Sequence, residues 1–201
     1  MNGIDSAYLL AGGQSSRFGE DKALVSVFGE TLIVRLARQL ASNGLRATLV
    51  VQEVSDYAKW GIPSIDDGVP NSGPLAGVLA ALRDADRLGI EWCFISSCDI
   101  LDWRPEWRAH LVSAIQSCPN SVAAVLSNGD AKDFRPFPGL YRTLLWEFGS
   151  ELWSEGVRSM REFHRRIDKK VEKCLVAQDL LPKSFNTPAE LQRLLIEKER
   201  D

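Results

Sequence analysis

Several things are scarce in this sequence, and each scarcity excludes a class of protein. Its 201 residues include only four cysteines and two histidines. Cys93, Cys98, Cys118 and Cys174 make no C-x-x-C pair and no zinc-like spacing. They read as reduced thiols of a cytoplasmic protein. His110 and His164 are too few for a metal site built on imidazoles. No run of about 18 apolar residues occurs, so no membrane-spanning helix is expected. The first ten residues carry no basic segment followed by a long apolar one, so no secretory signal is expected. Neither sign of charge dominates. Lys plus Arg is 24 and Asp plus Glu is 27, a formal net charge of -3. A chain this balanced is not built to coat nucleic acid. It can still hold an anion, through local cations and backbone amides.

What is present suffices for one folded core. Hydrophobic residues make up 45% and charged residues 25%, a composition that argues against disorder. Ala7 to Leu10, Ala47 to Val51, Ile62 to Ile65, Trp92 to Ser96 and Val122 to Leu126 read as buried strands. Between them, Thr31 to Asn43, Pro74 to Leu88 and Glu106 to Ser117 read as helices. Gly44 and Gly89 stop the first two, and Pro74 sits in a first turn. Strands alternating with helices predict an α/β fold with a mostly parallel sheet. After Asp130 the alternation loosens. Arg135-Pro136-Phe137-Pro138-Gly139 resists regular structure. Short helices are expected between Thr143 and Arg166, and a last helix over Pro188 to Lys198 with Thr187 as its N-cap. A single domain over 1–201 is expected, with a nucleotide-binding part (1–130) and an acceptor-binding part (131–201) sharing one sheet.

The most informative stretch is Leu9-Leu10-Ala11-Gly12-Gly13-Gln14-Ser15-Ser16-Arg17-Phe18-Gly19-Glu20-Asp21-Lys22-Ala23-Leu24. A buried strand runs straight into a double glycine, which lets the backbone turn tightly and lets a ligand approach its amides. Arg17 and Lys22 bring two positive charges to the same loop. Amides around phosphate oxygens and cations against a leaving pyrophosphate are what a nucleoside triphosphate requires. The P-loop pattern fails here, because Lys22 comes three residues after Gly19 rather than next to a glycine. The dinucleotide fingerprint fails as well, because the glycines are adjacent. Gly73 and Gly77 flank a helix start, whose positive dipole end suits an anion or a ribose. Plain helix-start chemistry explains them nearly as well.

This loop resembles the signature of the molybdenum cofactor guanylyltransferases, the MobA-like nucleotidyltransferases. The likeness continues in order through Gly73-Pro74-Leu75-Ala76-Gly77, then Cys98-Asp99 just after an apolar strand, then Asn186-Thr187-Pro188-Ala189-Glu190-Leu191. It covers nearly the whole chain. The resemblance implies a three-layer, Rossmann-like nucleotidyltransferase fold with a mostly parallel mixed sheet. It implies transfer of GMP from GTP to a molybdopterin-type cofactor, with release of pyrophosphate. Lys22, Arg17 and Asp99 become the catalytic candidates. Leu10, Ala11, Gly12, Gly13, Lys22, Gln52, Asp67 and Asp99 become nucleotide contacts. The family commonly has Asn where Gln52 stands. Asp67 presents a carboxylate able to accept the N1–H and N2 hydrogens of guanine. Asp99, at the carboxyl end of a parallel strand, is the expected Mg2+ ligand, since this ion takes one or two carboxylates plus phosphates and water.

For the acceptor, Arg135, Asn186 and the basic group around Arg158 and Arg161 are candidates. Arg158, Arg161 and Arg165 are spaced i, i+3 and i+7 and are expected on one helical face, with a solvated face as the plain alternative. The six tryptophans are core or interface material, though Trp103 and Trp107 follow Asp99 closely enough to wall a pterin. The sequence departs from the family in having Ile100-Leu101 where a proline usually follows the aspartate. Ser184 stands where a second Asn is common, and Phe18 replaces the commoner Met. Transient contact with molybdenum-insertion proteins and target molybdoenzymes follows from the same likeness. The alternatives are a cytidylyl or sugar-phosphate nucleotidyltransferase, and a delivery protein that binds molybdopterin or nucleotide without catalysis.

Overall fold

The computed structural model describes residues 4–11, 18, 21–68, 73–130, 133 and 135–199. β1 (Ser6–Leu10) leads, past the glycine-rich stretch, to a 3-10 turn (Lys22–Leu24) and the small hairpin of β2 (Ser26–Val27) and β3 (Glu30–Thr31). α1 (Leu32–Ser42), β4 (Arg46–Val51), a 3-10 segment (Val54–Trp60), β5 (Ser64–Asp66), α2 (Pro74–Arg87) and β6 (Trp92–Ser97) follow. The chain continues through α3 (Pro105–Ser117), β7 (Ala123–Ser127), β8 (Gly139–Arg142), α4 (Leu145–Ser154), α5 (Met160–Ile167), β9 (Val171–Leu175) and α6 (Pro188–Lys198).

The main sheet has seven strands in the order β5-β4-β1-β6-β8-β7-β9. Only β8 runs against the others, pairing antiparallel with both β6 and β7. Period-2 alternation splits the strand residues between two cores. Ala7, Leu9, Leu49, Val51 and Phe94 face one core, with Leu32, Leu36 and Leu40 of α1, Trp107 and Leu111 of α3, and Leu191 of α6. Tyr8, Leu10, Val50, Cys93 and Ile95 face the other, with Leu75, Val78 and Leu82 of α2, Leu152 of α4 and Phe163 of α5. The result is a three-layer α/β sandwich with a mostly parallel, mixed sheet, as expected. Among the described residues no helix is long and apolar enough to cross a membrane.

The expected strands and helices lie within one or two residues of their predicted places, and α6 matches both ends. Besides the small β2–β3 hairpin, two strands of the main sheet were not expected. β8 is four residues long and directly follows the proline-rich stretch, and β9 is an edge strand whose residues are half-buried or exposed. Neither presents the apolar run by which a buried strand is recognised.

Candidate active site

The parallel strands β1, β4, β5 and β6 all end at one edge of the sheet, and their ladders run one residue past each strand. Ala11 N donates to Val50 O (2.9 Å), Asp67 N to Val51 O (2.8 Å) and Cys98 N to Leu10 O (3.1 Å). The chain leaves β1 toward β4 and β5 through α1 on one face, then returns through α2 on the other to reach β6 on the far side of β1. This reversal of strand order opens a crevice beyond the carboxyl ends of β1 and β6, where open α/β sheets bind ligands.

Asp99 stands at that crevice, two residues past β6. Its Oδ1 accepts from Ser97 Oγ (2.5 Å), and its main-chain oxygen accepts from Phe185 N (2.8 Å). Ile100 bridges antiparallel to Ser184. The departure at Ile100-Leu101 is thus absorbed structurally: both side chains are buried, and the backbone is pinned by the segment before α6. One residue further, Asp102 accepts from Arg35 (2.5 Å), Gln39 (2.7 Å) and Lys198 (2.7 Å), tying α1 and α6 to this loop. Burial raises the Asp102 carboxyl, but these donors outweigh it and hold the group below the ordinary range. Cys98 is buried, and its thiol is pushed up to about 12 by burial first and the Asp99 charge second. It is no nucleophile.

Lys22 begins the 3-10 turn that Asp21 caps, with Asp21 Oδ1 accepting from Ala23 N (2.9 Å). Its Nζ donates to Asn186 Oδ1 (3.1 Å). Asn186, expected on the acceptor side, therefore sits beside the lysine expected to meet the nucleotide. The segment Ser184–Asn186 reaches both key residues, the main chain of Asp99 through Phe185 and the ammonium of Lys22 through Asn186. Gly12, Gly13 and Arg17 lie outside the described residues, while Leu10 and Ala11 end the central strand as expected.

A cavity of about 320 Å3 opens beside Asp99, lined by Ser97, Ile100, Asp133, Arg135, Phe137 and Ser184, among others. Arg135 is thus brought to the same cavity as Asp99. It is held there by Asp133, whose carboxylate oxygens accept from Nε at 2.8 and 2.9 Å, and by Pro182 O (2.8 Å). Asp67 lines a different, larger groove of about 770 Å3. This groove runs from the end of β5 along α2 past Arg83 and Arg87 to Trp153 of α4. Gln52, half-buried, follows the last residue of β4.

One expectation is corrected, and two other readings resolve to their plainer alternatives. Arg158, Arg161 and Arg165 do not share a helical face. Ser159 caps α5 in an extended conformation and accepts from Glu162 N, so the helix begins at Met160 and leaves Arg158 outside it. Arg158 instead stacks on Trp153 (3.9 Å to the ring centroid), and Arg165 forks onto Glu162. Gly77 lies within α2 and serves packing: a Cβ there would sit 3.2 Å from Leu10 Cδ2, so its absence lets the helix press on β1. Trp103 and Trp107 are core residues, 4% and 2% exposed and packed edge to face, in line with their reading as core material. Gly73 does cap α2, with φ at 77°, a conformation that favours glycine.

A doubly wound sheet with this strand order, a lysine turn beyond its first strand and a carboxylate beyond its fourth parallel strand define a Rossmann-like nucleotidyltransferase fold. The family model of the MobA-like NTP transferase domain matches residues 7–171, and the chain belongs to that family. It is 31% identical, over 77% of its length and 75% of the relative's, to a probable molybdenum cofactor guanylyltransferase of Opitutus terrae. It is 32% identical, over 77% and 76% of the two chains, to a molybdenum cofactor guanylyltransferase of Serratia proteamaculans. Among solved structures, the molybdopterin-guanine dinucleotide biosynthesis protein A of Archaeoglobus fulgidus superposes with a TM-score of 0.78. That match covers 98% of this chain and all of the other at 20% identity.

Proposed function

We propose that this protein transfers GMP from GTP to the terminal phosphate of a molybdopterin-type molybdenum cofactor. The observation that carries the reading is the double hold on Ser184–Asn186, which links the Lys22 ammonium to the main chain of Asp99, a residue that shares a cavity with Arg135. The guanylyltransferase names of its relatives supply the nucleotide and the acceptor. In the reaction an acceptor phosphate oxygen attacks the α-phosphorus in line. A new P–O bond forms, the α–β bridging bond breaks, and pyrophosphate carries away the electron pair. No side-chain nucleophile is required, since the attacking oxygen belongs to the substrate. The work of the protein is positioning and charge stabilisation.

Lys22 and Arg17 meet the triphosphate, and Leu10 through Gly13 offer backbone contacts. Gln52 and Asp67 read the nucleoside. Arg135 holds an anionic group of the acceptor, and Asn186 steadies Lys22. Asp99 is the residue that would hold Mg2+. The donor set fits that ion: an oxygen ligand fixed by Ser97 at the ligand-bearing edge, with no cluster of three ligating side chains among the described residues. Mg2+ needs no such cage when substrate phosphates and water complete its shell. When bound, it neutralises charge on the α-phosphate.

The test is pyrophosphate release in the presence of GTP, cofactor and Mg2+, with the product identified by mass. Release should require both substrates, and Asp99→Asn should lower it on the order of 100-fold or more. Full turnover in that variant would remove the metal assignment. A preference for CTP over GTP would remove the guanine reading.

A further inference from the structure

Tyr57 belongs to none of the family-like motifs. It lies in the 3-10 segment between β4 and β5, where Val54-Ser55-Asp56-Tyr57-Ala58-Lys59-Trp60 shows no apolar period. Yet its side chain is buried, 4% exposed. Its hydroxyl donates to Asp21 Oδ2 and lies 3.3 Å from Ala11 O. These acceptors stand at the two ends of the glycine-rich loop: Ala11 closes β1, and Asp21 opens the turn that carries Lys22. One phenol therefore bonds the finish of the loop while lying against its start, from a segment 36 residues further along the chain than Asp21.

The bond also engages a nearby carboxylate. Asp21 is the immediate neighbour of Lys22, and a carboxylate in that position competes with phosphate for the ammonium. Here Asp21 Oδ1 accepts from Ala23 N and Oδ2 from Tyr57, so both oxygens are engaged in shaping the turn. Burial first, and the Asp21 acceptor second, push the Tyr57 phenol well above its ordinary value. It remains a protonated donor throughout the working range. A donor to a charged carboxylate, itself part-buried, is among the stronger single hydrogen bonds in a fold.

We infer that Tyr57 is a positioning residue for the nucleotide: it fixes Lys22 toward the outer phosphates by bonding Asp21 from a buried place beside the end of β1. This rests on the proposed role of Lys22 at the triphosphate. The consequence is selective. Losing the phenol should weaken the grip on the β- and γ-phosphates and leave the nucleoside and α-phosphate contacts as they were.

The experiment measures binding of Mg·GTP and of GMP by calorimetry to the full chain and to Tyr57→Phe, Asp21→Asn and Lys22→Ala. Thermal unfolding of each is recorded in parallel. Tyr57→Phe should bind GTP about tenfold more weakly and GMP within about twofold of the parent. The Tyr57→Phe/Asp21→Asn double variant should be no worse than Asp21→Asn alone, because both substitutions remove the same contact. An equal loss for GTP and GMP, or no loss, overturns the inference. If Tyr57→Phe does not fold, Asp21→Asn reads the same contact from its other end: high salt screens the lost charge, and the asymmetry between GTP and GMP should persist there, its absence overturning the inference. Lys22→Ala separates the two ideas. Should it bind GTP and GMP as the parent does, the role given to Lys22 is wrong. Should it lose GTP selectively while Tyr57→Phe and Asp21→Asn do not, only the role given to Tyr57 is wrong.

Discussion

His164, on α5, is 6% exposed, and its Nε2 lies 2.9 Å from the Tyr141 hydroxyl. Tyr141 spends its own proton on Pro136 O (2.6 Å). The imidazole must therefore donate, which fixes the neutral Nε2–H tautomer. Burial lowers the His164 pKa from 6.5 to about 4. Asp168 opposes that shift, and Lys173 adds to it. Above pH 6.5 the residue is neutral whether the chain is folded or unfolded, and contributes no pH dependence. Between pH 6.5 and about 4 the unfolded chain takes up a proton that the fold refuses, so stability falls with falling pH. The loss attributable to His164 approaches about 3 kcal/mol by pH 4. His164→Gln removes that titration. Urea unfolding at pH 7 and pH 4.5 should show the parent losing about 2 kcal/mol more than the variant over this interval. Equal losses would mean that this imidazole does not titrate with unfolding. The Pro136 carbonyl also explains Gly139: a Cβ there would lie 2.6 Å from that oxygen and from the Tyr141 ring. Residue choice on β8 thus shapes the wall of the cavity that holds Arg135.

Elements were legible from the sequence to the degree that their signals are local. α6 is the clearest case. Thr187, Pro188 and Glu190 supply a cap, a first-turn proline and a capping box within four residues, and the helix begins where they dictate. β9 carries no comparable local mark, and β8 is defined by the gap it fills between β6 and β7, which do not pair with each other. The site divides in the same way. Lys22 and Asp99 stand out through motif and position. Tyr57, Ser97 and the meeting of Lys22 with Asn186 depend on contacts that no local pattern encodes, the last across 164 residues. The α6 cap also bears on function. Glu190 Oε2 accepts from Asn186 N (2.6 Å) as well as Thr187 N (3.1 Å), so the box that starts the helix also aims the residue that meets Lys22. Thr187→Ala and Glu190→Ala should each cost about 1 kcal/mol of stability. Only Glu190→Ala releases the Asn186 amide, so only it should raise the KM for GTP, by several-fold. Steady-state kinetics on both variants checks this, and matching KM values would show that the cap has no part in aiming Asn186.

At the scale of the molecule, the strand order decides whether residues 1–130, proposed to bind the nucleotide, can stand alone. Residues 1–130 contain β1 and β4 through β7, a plausible open sheet if read along the chain. In space, β7 touches β8 and β9 and no other strand, while β6 has β8 on its outer side. Cutting after residue 130 leaves β7 with no neighbour in the sheet and strips β6 of one edge. Ala123, Ala124, Val125 and Leu126, all buried in the whole chain, would then lose their cover. The second core would also lose Leu152, Phe163 and Ile167 from the face opposite α1. Unpaired ladder groups and uncovered apolar strands are each costly enough to exceed the margin by which a domain is stable. The full chain should therefore unfold in urea as one unit. Tryptophan fluorescence should report the same midpoint as far-UV circular dichroism, because Trp92, Trp103 and Trp107 lie in the first part and Trp146 and Trp153 in the second. A fragment ending at residue 130 should aggregate or remain without near-UV ellipticity, and should not bind GTP. A soluble fragment with native near-UV signal would show that β7 finds another place in the sheet, and that the acceptor side can be removed without dismantling the nucleotide side.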